Sequence, residues 1–191
     1  VKALVVPASG PVLPHVLRGI ADAGVVDVGV VVAGPDDGVR TEAGDGSRFG
    51  ISVTYVPGHQ GRAGTLDAVR SAREWLADDD FVLCAGDGFP DGGIGGQLEE
   101  FRVRRPAAQI VAARIAGPPP WEVYFFTSAL HTAVEAVGPA AGNGPELSDA
   151  LRWLYDRGLG VTACAGPVRE CGEPGGHGSP RGAAEAGSVG G

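Results

Sequence analysis

The sequence carries few side chains equipped for chemistry, and the first is Asp87, set between glycines in AGDGFPDGG directly after the apolar run Phe81–Cys84. A carboxylate leaving a strand end can bind a divalent cation, orient a sugar hydroxyl or move a proton. The same spacing also suits a plain turn. In PGHQGRAGTLDAV, Gly61 and Gly64 either let a ligand approach the backbone where a helix opens or simply close a connection. A third position is the join at Ser9 and Gly10, between the valine-rich run ending at Val6 and a helical pattern. Strand-to-helix turns of this kind often hold phosphate on free helix amides, yet this one has a single glycine and no nearby cation. Asp78, Asp79 and Asp80 read as a metal cluster or, more commonly before a buried strand, as a solvated turn. His15, His59, His131 and His177 show no ligand spacing and read as structural or exposed, and GxSxG, HExxH and Walker A patterns are absent.

These residues must be positioned by alternating elements. Strand-like runs fall at 3–6, 28–32, 52–56, 81–84, 109–113 and 122–126, with a weaker one at 161–165. Helical patterns fall between them at 12–23, 64–76, 97–103, 128–137 and 146–157. Thr127 or Ser128 is expected to cap the helix before Leu130, and Gly158 to stop the helix ending at Arg157. Such alternation predicts a mainly parallel sheet covered on both faces, with ligands at the carboxyl ends of the strands. A domain over 1–171 is expected, followed by a disordered Gly/Pro/Ser/Ala-rich tail over 172–191.

Bulk properties exclude several classes. At 191 residues, 43% of them hydrophobic, with a mean hydropathy of +0.07, the chain suits one soluble globular domain. A net charge of -8 argues against nucleic acid as a partner, because phosphate-backbone affinity needs clustered Lys and Arg. Lys2 is the only lysine. Three cysteines without a CxxC pair indicate neither structural zinc nor a disulfide framework, so a reduced, cytoplasmic protein away from membranes is expected. Val1 reads as a literally translated alternative start codon or a trimmed end.

The blocks KALVV, GIADAGVVDVGVVV, GDGSRFGISVTYVP, DDDFVLCAGD, GGI, EEFRVRRPAAQI, VYFFTSALHTAVEAV and ELSDALRWLYDRG resemble, in order, those of the glucose-1-phosphate thymidylyltransferases, from Lys2 to about Gly172. The resemblance implies a three-layer α/β/α, Rossmann-like nucleotidyltransferase fold with a mainly parallel mixed sheet. It also implies condensation of dTTP with a sugar 1-phosphate, using Mg²⁺, to give a dTDP-sugar and pyrophosphate.

Four departures matter. The GGxGTRLxPxT loop and its following Pro-Lys segment are missing, since VPAS passes directly to GPVLPHVL, leaving Ser9 and Gly10 at the nucleotide-phosphate position. The sugar-binding strands with FGV and EEKP segments are replaced by AGPPPWE, a truncated sugar-binding part. The family's GDN becomes GDG, with Asp87 matching the metal- and sugar-site aspartate, and WKDTG becomes VRECG, with Glu170 matching the second metal-binding aspartate and Arg169 the lysine. The thymine-contacting PQxxPxG reads PGHQGRAG, with Gly64 matching the retained glycine and the glutamine shifted to Gln60 or lost.

The resemblance, with these departures, leads to the expectation of a diverged relative that has lost ordinary dTDP-sugar synthesis. Three outcomes follow: Asp87 and Glu170 acting as acid and base on a natural-product intermediate; a non-catalytic protein that binds a dTDP-sugar or pairs with an active paralogue; or residual thymidylyl transfer. A homo-oligomer is also implied.

Overall fold

The computed structural model describes residues 1–7, 12–32, 34, 38–58, 64–86, 88–112, 121–138 and 146–165. Seven strands form one sheet: β1 (Lys2–Pro7), β2 (Asp27–Val32), β3 (Ser52–Pro57), β4 (Phe81–Gly86), β5 (Ala108–Ala112), β6 (Trp121–Phe126) and β7 (Val161–Ala165). Their order is β3-β2-β1-β4-β6-β5-β7, and only β6 runs against its neighbours. The expected mainly parallel mixed sheet is therefore present.

Strand periodicity divides the core. Ala3, Val5, Val28, Val30, Val82, Cys84, Val123 and Phe125 point to one face, under α1 (Leu13–Asp22), α2 (Val39–Ala43) and α5 (Gly95–Arg104). Leu4, Val31, Val56, Phe81, Leu83 and Phe126 point to the other, under α3 (Thr65–Ser71), α4 (Arg73–Leu76), α6 (Ala129–Ala136) and α7 (Leu147–Asp156). Both faces of the parallel strands are buried, which is why these strands read as continuous apolar runs. Phe81, Phe101, Phe125 and Phe126 are fully buried, each contributing roughly 1.5–3 kcal/mol.

Several local expectations change. The single helix over 64–76 divides at Ala72, whose ψ of 0° turns the chain between α3 and α4. Neither Thr127 nor Ser128 caps α6 with a side chain; their carbonyls instead accept from the Leu130 and His131 amides. Gly158 does stop α7, at φ +70°. The short α2 and a 3₁₀ turn at Ser47–Phe49 were not expected. The 172–191 tail lies outside the described residues.

The aspartate run at the foot of β4 is a solvated turn. Each carboxylate meets a different cation: Asp78 meets Arg73, Asp79 meets Lys2 and Asp80 meets Arg105. Lys2 also donates to the Trp75 carbonyl at the end of α4 (2.5 Å) and lies 5.1 Å from the Trp75 ring.

His131 is buried, stacks on Phe81 at 5.9 Å and leaves Nε2 without a partner among the described residues. Burial, assisted by Arg73, holds its pKa below the ordinary 6.5, against the opposing pull of Asp78, the Ala77 carbonyl and Glu135. Below pH 6.5 the unfolded chain therefore binds a proton that the folded protein refuses. Stability is expected to be flat above that pH and to fall as pH drops toward the folded-state value, by up to about 1.4 kcal/mol per pH unit. Asp45 and Asp79, both held below 3.8, titrate lower. Urea midpoints at pH 7.5 and 5.5 should diverge in the native chain and converge in His131→Phe; equal slopes in both would remove His131 as the cause.

Candidate functional site

The pairing register brings the strand ends level. Pro57 lies beside Val32, and Pro7 beside Gly86. Continuing the β1–β2 register, which pairs Val5 with Val30, places Pro7 beside Val32. The line continues across β4 to Trp121, the first residue of β6. This is the carboxyl-end rim of every parallel strand in that half of the sheet. The chain order reverses between β1 and β4, because β2 and β3 extend to one side of β1 and β4 to the other, so the crevice for a ligand opens there.

At that crevice the described residues enclose a cavity of about 10 Å³, lined by Val5, Pro7, Val12, Leu13, Val16, Cys84 and Gly88. It is apolar and has room for one water molecule at most. Burial pushes the Cys84 thiol up to about 12, so it is inert packing at neutral pH.

Of the six sequence-derived site residues, Gly64 is described: it is the N-cap of α3, in extended backbone (φ -67°, ψ 167°), with its carbonyl accepting from the Asp67 and Ala68 amides. A Cβ there would meet nothing within 4 Å, so backbone access is open but no conformation demands glycine. Asp87, Glu170, Ser9, Gly10 and Gln60 lie outside the described residues, as do His59, His177 and Gly61.

The strands still constrain the pair of carboxylates. Asp87 follows Gly86, the end of β4, whereas Glu170 comes five residues after Ala165, the end of β7. β7 is three positions from β4, or about 14 Å at the usual strand spacing. Five residues reach at most about 17 Å. Two carboxylates are the right oxygen donors for Mg²⁺, and both lie outside the described residues. Among the described residues no group of three or more His, Cys, Asp or Glu could hold a metal ion.

Two features escaped the sequence reading. Phe89, two residues after Asp87, is 5% exposed and rests on Gly19 of α1, where a Cβ would come within 2.4 Å of the Phe89 ring. It anchors the chain just beyond the end of β4. Glu122 lies across the β4–β6 ladder from Ala85, close to the same rim. The alternation in WEVYFF puts Glu122 and Tyr124 on one face; only the register between distant strands shows which residues they oppose.

A three-layer α/β/α sheet with a chain reversal between β1 and β4 defines an α/β protein of the doubly wound kind. Residues 1–113 match the model of the nucleotidyl transferase family, and the chain belongs to that family. It is 34% identical over 188 residues to a glucose-1-phosphate thymidylyltransferase of Streptomyces griseus and 35% identical over 190 residues to one of Streptomyces antibioticus. A low-salt glycan biosynthesis nucleotidyltransferase of Haloferax volcanii is 26% identical over 191 residues. Each alignment covers 84% of this chain and 53% of the relative, so the chain spans about half the length of the curated relatives it matches. A Bacillus anthracis structure assigned as a glucose-1-phosphate thymidylyltransferase, in complex with a sucrose, superposes with a TM-score of 0.71 at 18% identity. That superposition covers 86% of this chain and 87% of the other. The family and fold expected from the sequence blocks are thus borne out.

Proposed function

We propose that this sugar-nucleotidyltransferase-like chain has lost ordinary dTDP-sugar synthesis. In this reading it turns Asp87 and Glu170 to acid-base chemistry on a small molecule of natural-product metabolism, within a domain spanning 1–171 followed by a separate tail over 172–191. The observation that carries the reading is the length of two connections at the rim. Five residues, 8–12, join β1 to α1, and eight, 113–120, join β5 to β6. The first is shorter than the family's eleven-residue signature loop. The second is shorter than two strands of ordinary length.

The placement of charge supports the same reading. Phosphoryl transfer is catalysed mainly by positioning and by cations that neutralise developing charge. Lys2 is committed at the foot of the sheet, far from the rim. Loss of one placed donor costs on the order of 10²–10³ in rate, and here the loop's Arg and the following Lys are missing together. Mg²⁺, held by Asp87 and Glu170, would supply part of that neutralisation when bound. Without phosphate to transfer, two carboxylates in unlike surroundings can serve as proton donor and acceptor for cyclisation, isomerisation or hydrolysis.

A second reading, a non-catalytic binder of nucleotide sugars, self-associating or paired with an active paralogue in the cytoplasm, draws support from Arg62, Arg114 and Arg169. These fall in the stretches following β3, β5 and β7 and would retain affinity for phosphate.

Calorimetric titration with dTTP and dTDP-glucose, with and without Mg²⁺, beside a pyrophosphate-release assay, tests both. The expected result is pyrophosphate release from dTTP and glucose 1-phosphate at least a thousandfold below that of a full-length relative. Release at an ordinary rate would overturn the loss of thymidylyl transfer. Nucleotide-sugar binding that Asp87→Asn leaves intact, without turnover, would favour the binder.

A further inference from the structure

Away from the rim, we infer that the outer edge of β7 is a self-association surface, on which a second copy of this chain pairs its own β7 antiparallel across a twofold axis through Ala163. This goes beyond the reading of the rim and does not depend on what the rim holds. β7 stands at one end of the sheet, with β5 as its neighbour. The Ala108 amide donates to the Gly160 carbonyl at 3.0 Å, and Ala108 is in register with Val161. In a parallel ladder that commits residues 160, 162 and 164 to β5 and turns the amides and carbonyls of Val161, Ala163 and Ala165 outward. Among the described residues no strand takes them up.

The edge lacks the usual guards. Charges, prolines and bulges keep edge strands from pairing with other chains. β3, at the other end of the sheet, finishes in Pro57 and has the Arg40 guanidinium over Tyr55. From Gly158 to Ala165 the run GLGVTACA holds neither charge nor proline. Its borders are apolar as well. α5 lies beside it, because the Gln109 side chain donates both to the Gln97 carbonyl of α5 at 2.8 Å and to the Cys164 Sγ at 3.5 Å. α7 leads into it through Leu159, whose amide donates to the Leu154 carbonyl. Val103 of α5, Tyr155 of α7 and Leu159 are 84%, 70% and 39% exposed, so three of the five exposed large apolar side chains among the described residues belong to the elements that border this edge.

A second copy is the occupant that this edge fits. An antiparallel twofold sets Ala163 against its own counterpart as a hydrogen-bonded pair, and Thr162 against Cys164 of the partner copy as a non-hydrogen-bonded pair. Ala163 is small and exposed, so the two backbones meet at the axis without a side-chain clash. Charge agrees. Residues 95–105 and 146–157 hold five arginines and five carboxylates, so this flank is neutral in a chain whose net charge is -8, and it is where two copies repel least. Within α5, Glu99 and Glu100 precede Arg102 and Arg104. A twofold reverses that order in the partner copy, running the acidic half of one helix alongside the basic half of its counterpart. The pairing uses the unguarded edge of each copy and therefore closes at two. Because it is antiparallel, the two carboxyl-end rims point in opposite directions and neither copy covers the other's.

Sedimentation equilibrium and cross-linking on the full chain test this. The native chain should sediment as a dimer. Ala163→Lys sets two like charges against each other at the axis and leaves the ladder to β5 intact, so it should raise the dimer dissociation constant about a hundredfold or more with an unchanged circular dichroism spectrum. Thr162→Cys, made together with Cys171→Ser, places the introduced thiol opposite Cys164 of the partner copy. Non-hydrogen-bonded pairs have Cα atoms about 4.5 Å apart, within disulfide reach, so mild oxidation should join two chains, and Cys164→Ser in the same background should abolish the link. The cross-link decides the matter even where Ala163→Lys fails to fold. A native chain that is monomeric overturns the proposal, because the edge is then left single or covered by the chain's own residues. A dimer that survives Ala163→Lys and yields no cross-link also overturns it, because the contact then lies elsewhere.

Discussion

Replacing Gly46 by alanine is expected to lower stability by about 3 kcal/mol, seen as a drop in the urea midpoint at an unchanged slope. Two effects add. Gly46 has φ +86°, a left-handed conformation that costs an L side chain roughly 1–2 kcal/mol. A Cβ there would also lie 2.7 Å from the Ile51 carbonyl oxygen and 2.8 Å from a Val53 methyl, an overlap of the kind that costs about 1–3 kcal/mol. Relief is blocked on both sides. Ile51 is buried, and the Val53 amide donates to the Asp45 carbonyl at 3.0 Å. Gly50 provides the comparison, because its φ of +73° carries the backbone cost while a Cβ would meet open space. Gly50→Ala should lose about 1–2 kcal/mol. Equal losses at the two positions would refute the steric part of the argument.

This contrast gives the block GDGSRFG a physical meaning. It folds as a turn in which Asp45 accepts from both the amide and the hydroxyl of Ser47, at 2.9 and 2.6 Å, and it delivers the chain to the start of β3. Ser52 pairs with Asp27, at the foot of the sheet, opposite the carboxyl-end rim. One of the most idiosyncratic blocks in the family resemblance therefore reports on the fold. Similarity there carries no information about whether the chemistry survives.

The same distinction separates what could be read in the sequence from what could not. Strands such as Asp27–Val32 were legible because burial on both faces leaves an uninterrupted valine-rich run. The five-residue α2 and the 3₁₀ turn were not, because they depend on contacts beyond their own length. The Arg40 guanidinium lies 4.3 Å from the Tyr55 ring, Tyr55 donates to the Gly44 carbonyl at 2.6 Å, and Arg18 of α1 lies 5.9 Å from the Phe49 ring. For the site, the rim could be located from strand-to-loop transitions alone, which picked out Asp87 and Gly64. The partners of that rim could not. Residues 85 and 122 become neighbours only through the antiparallel insertion of β6, and the commonest sequence rule for strands separated by helices predicts parallel pairing.

Truncating Phe89 to alanine is expected to cost about 3–5 kcal/mol and, on the proposed reading of the rim, to weaken binding there by more than the stability loss alone explains. Phe89 is 95% buried, lies within the first core cluster, presents its ring to the edge of His15 at 6.5 Å and is followed by the buried Pro90. It is the first large buried side chain after Asp87, so it fixes where the chain leaving β4 re-enters the core. Gly19 is the other half of this contact. Alanine there gains about 1 kcal/mol of helix propensity, yet its Cβ would sit 2.4 Å from a ring with little room to retreat, an overlap worth about 1–3 kcal/mol against the gain. A small net loss is expected for Gly19→Ala, and it should shrink when Phe89→Leu removes the ring. The double mutant should therefore be more stable than the sum of the singles by about 0.5–1 kcal/mol or more. Strict additivity would mean that the two residues do not press on one another. On the proposal that Asp87 helps to hold Mg²⁺, titration of Mg²⁺ into the native chain and folded Phe89→Leu then separates packing from positioning. Unchanged affinity would show that Asp87 is held by its own strand, whereas weakened affinity in a protein that still melts cooperatively would show that an apolar contact two residues away sets the position of the carboxylate.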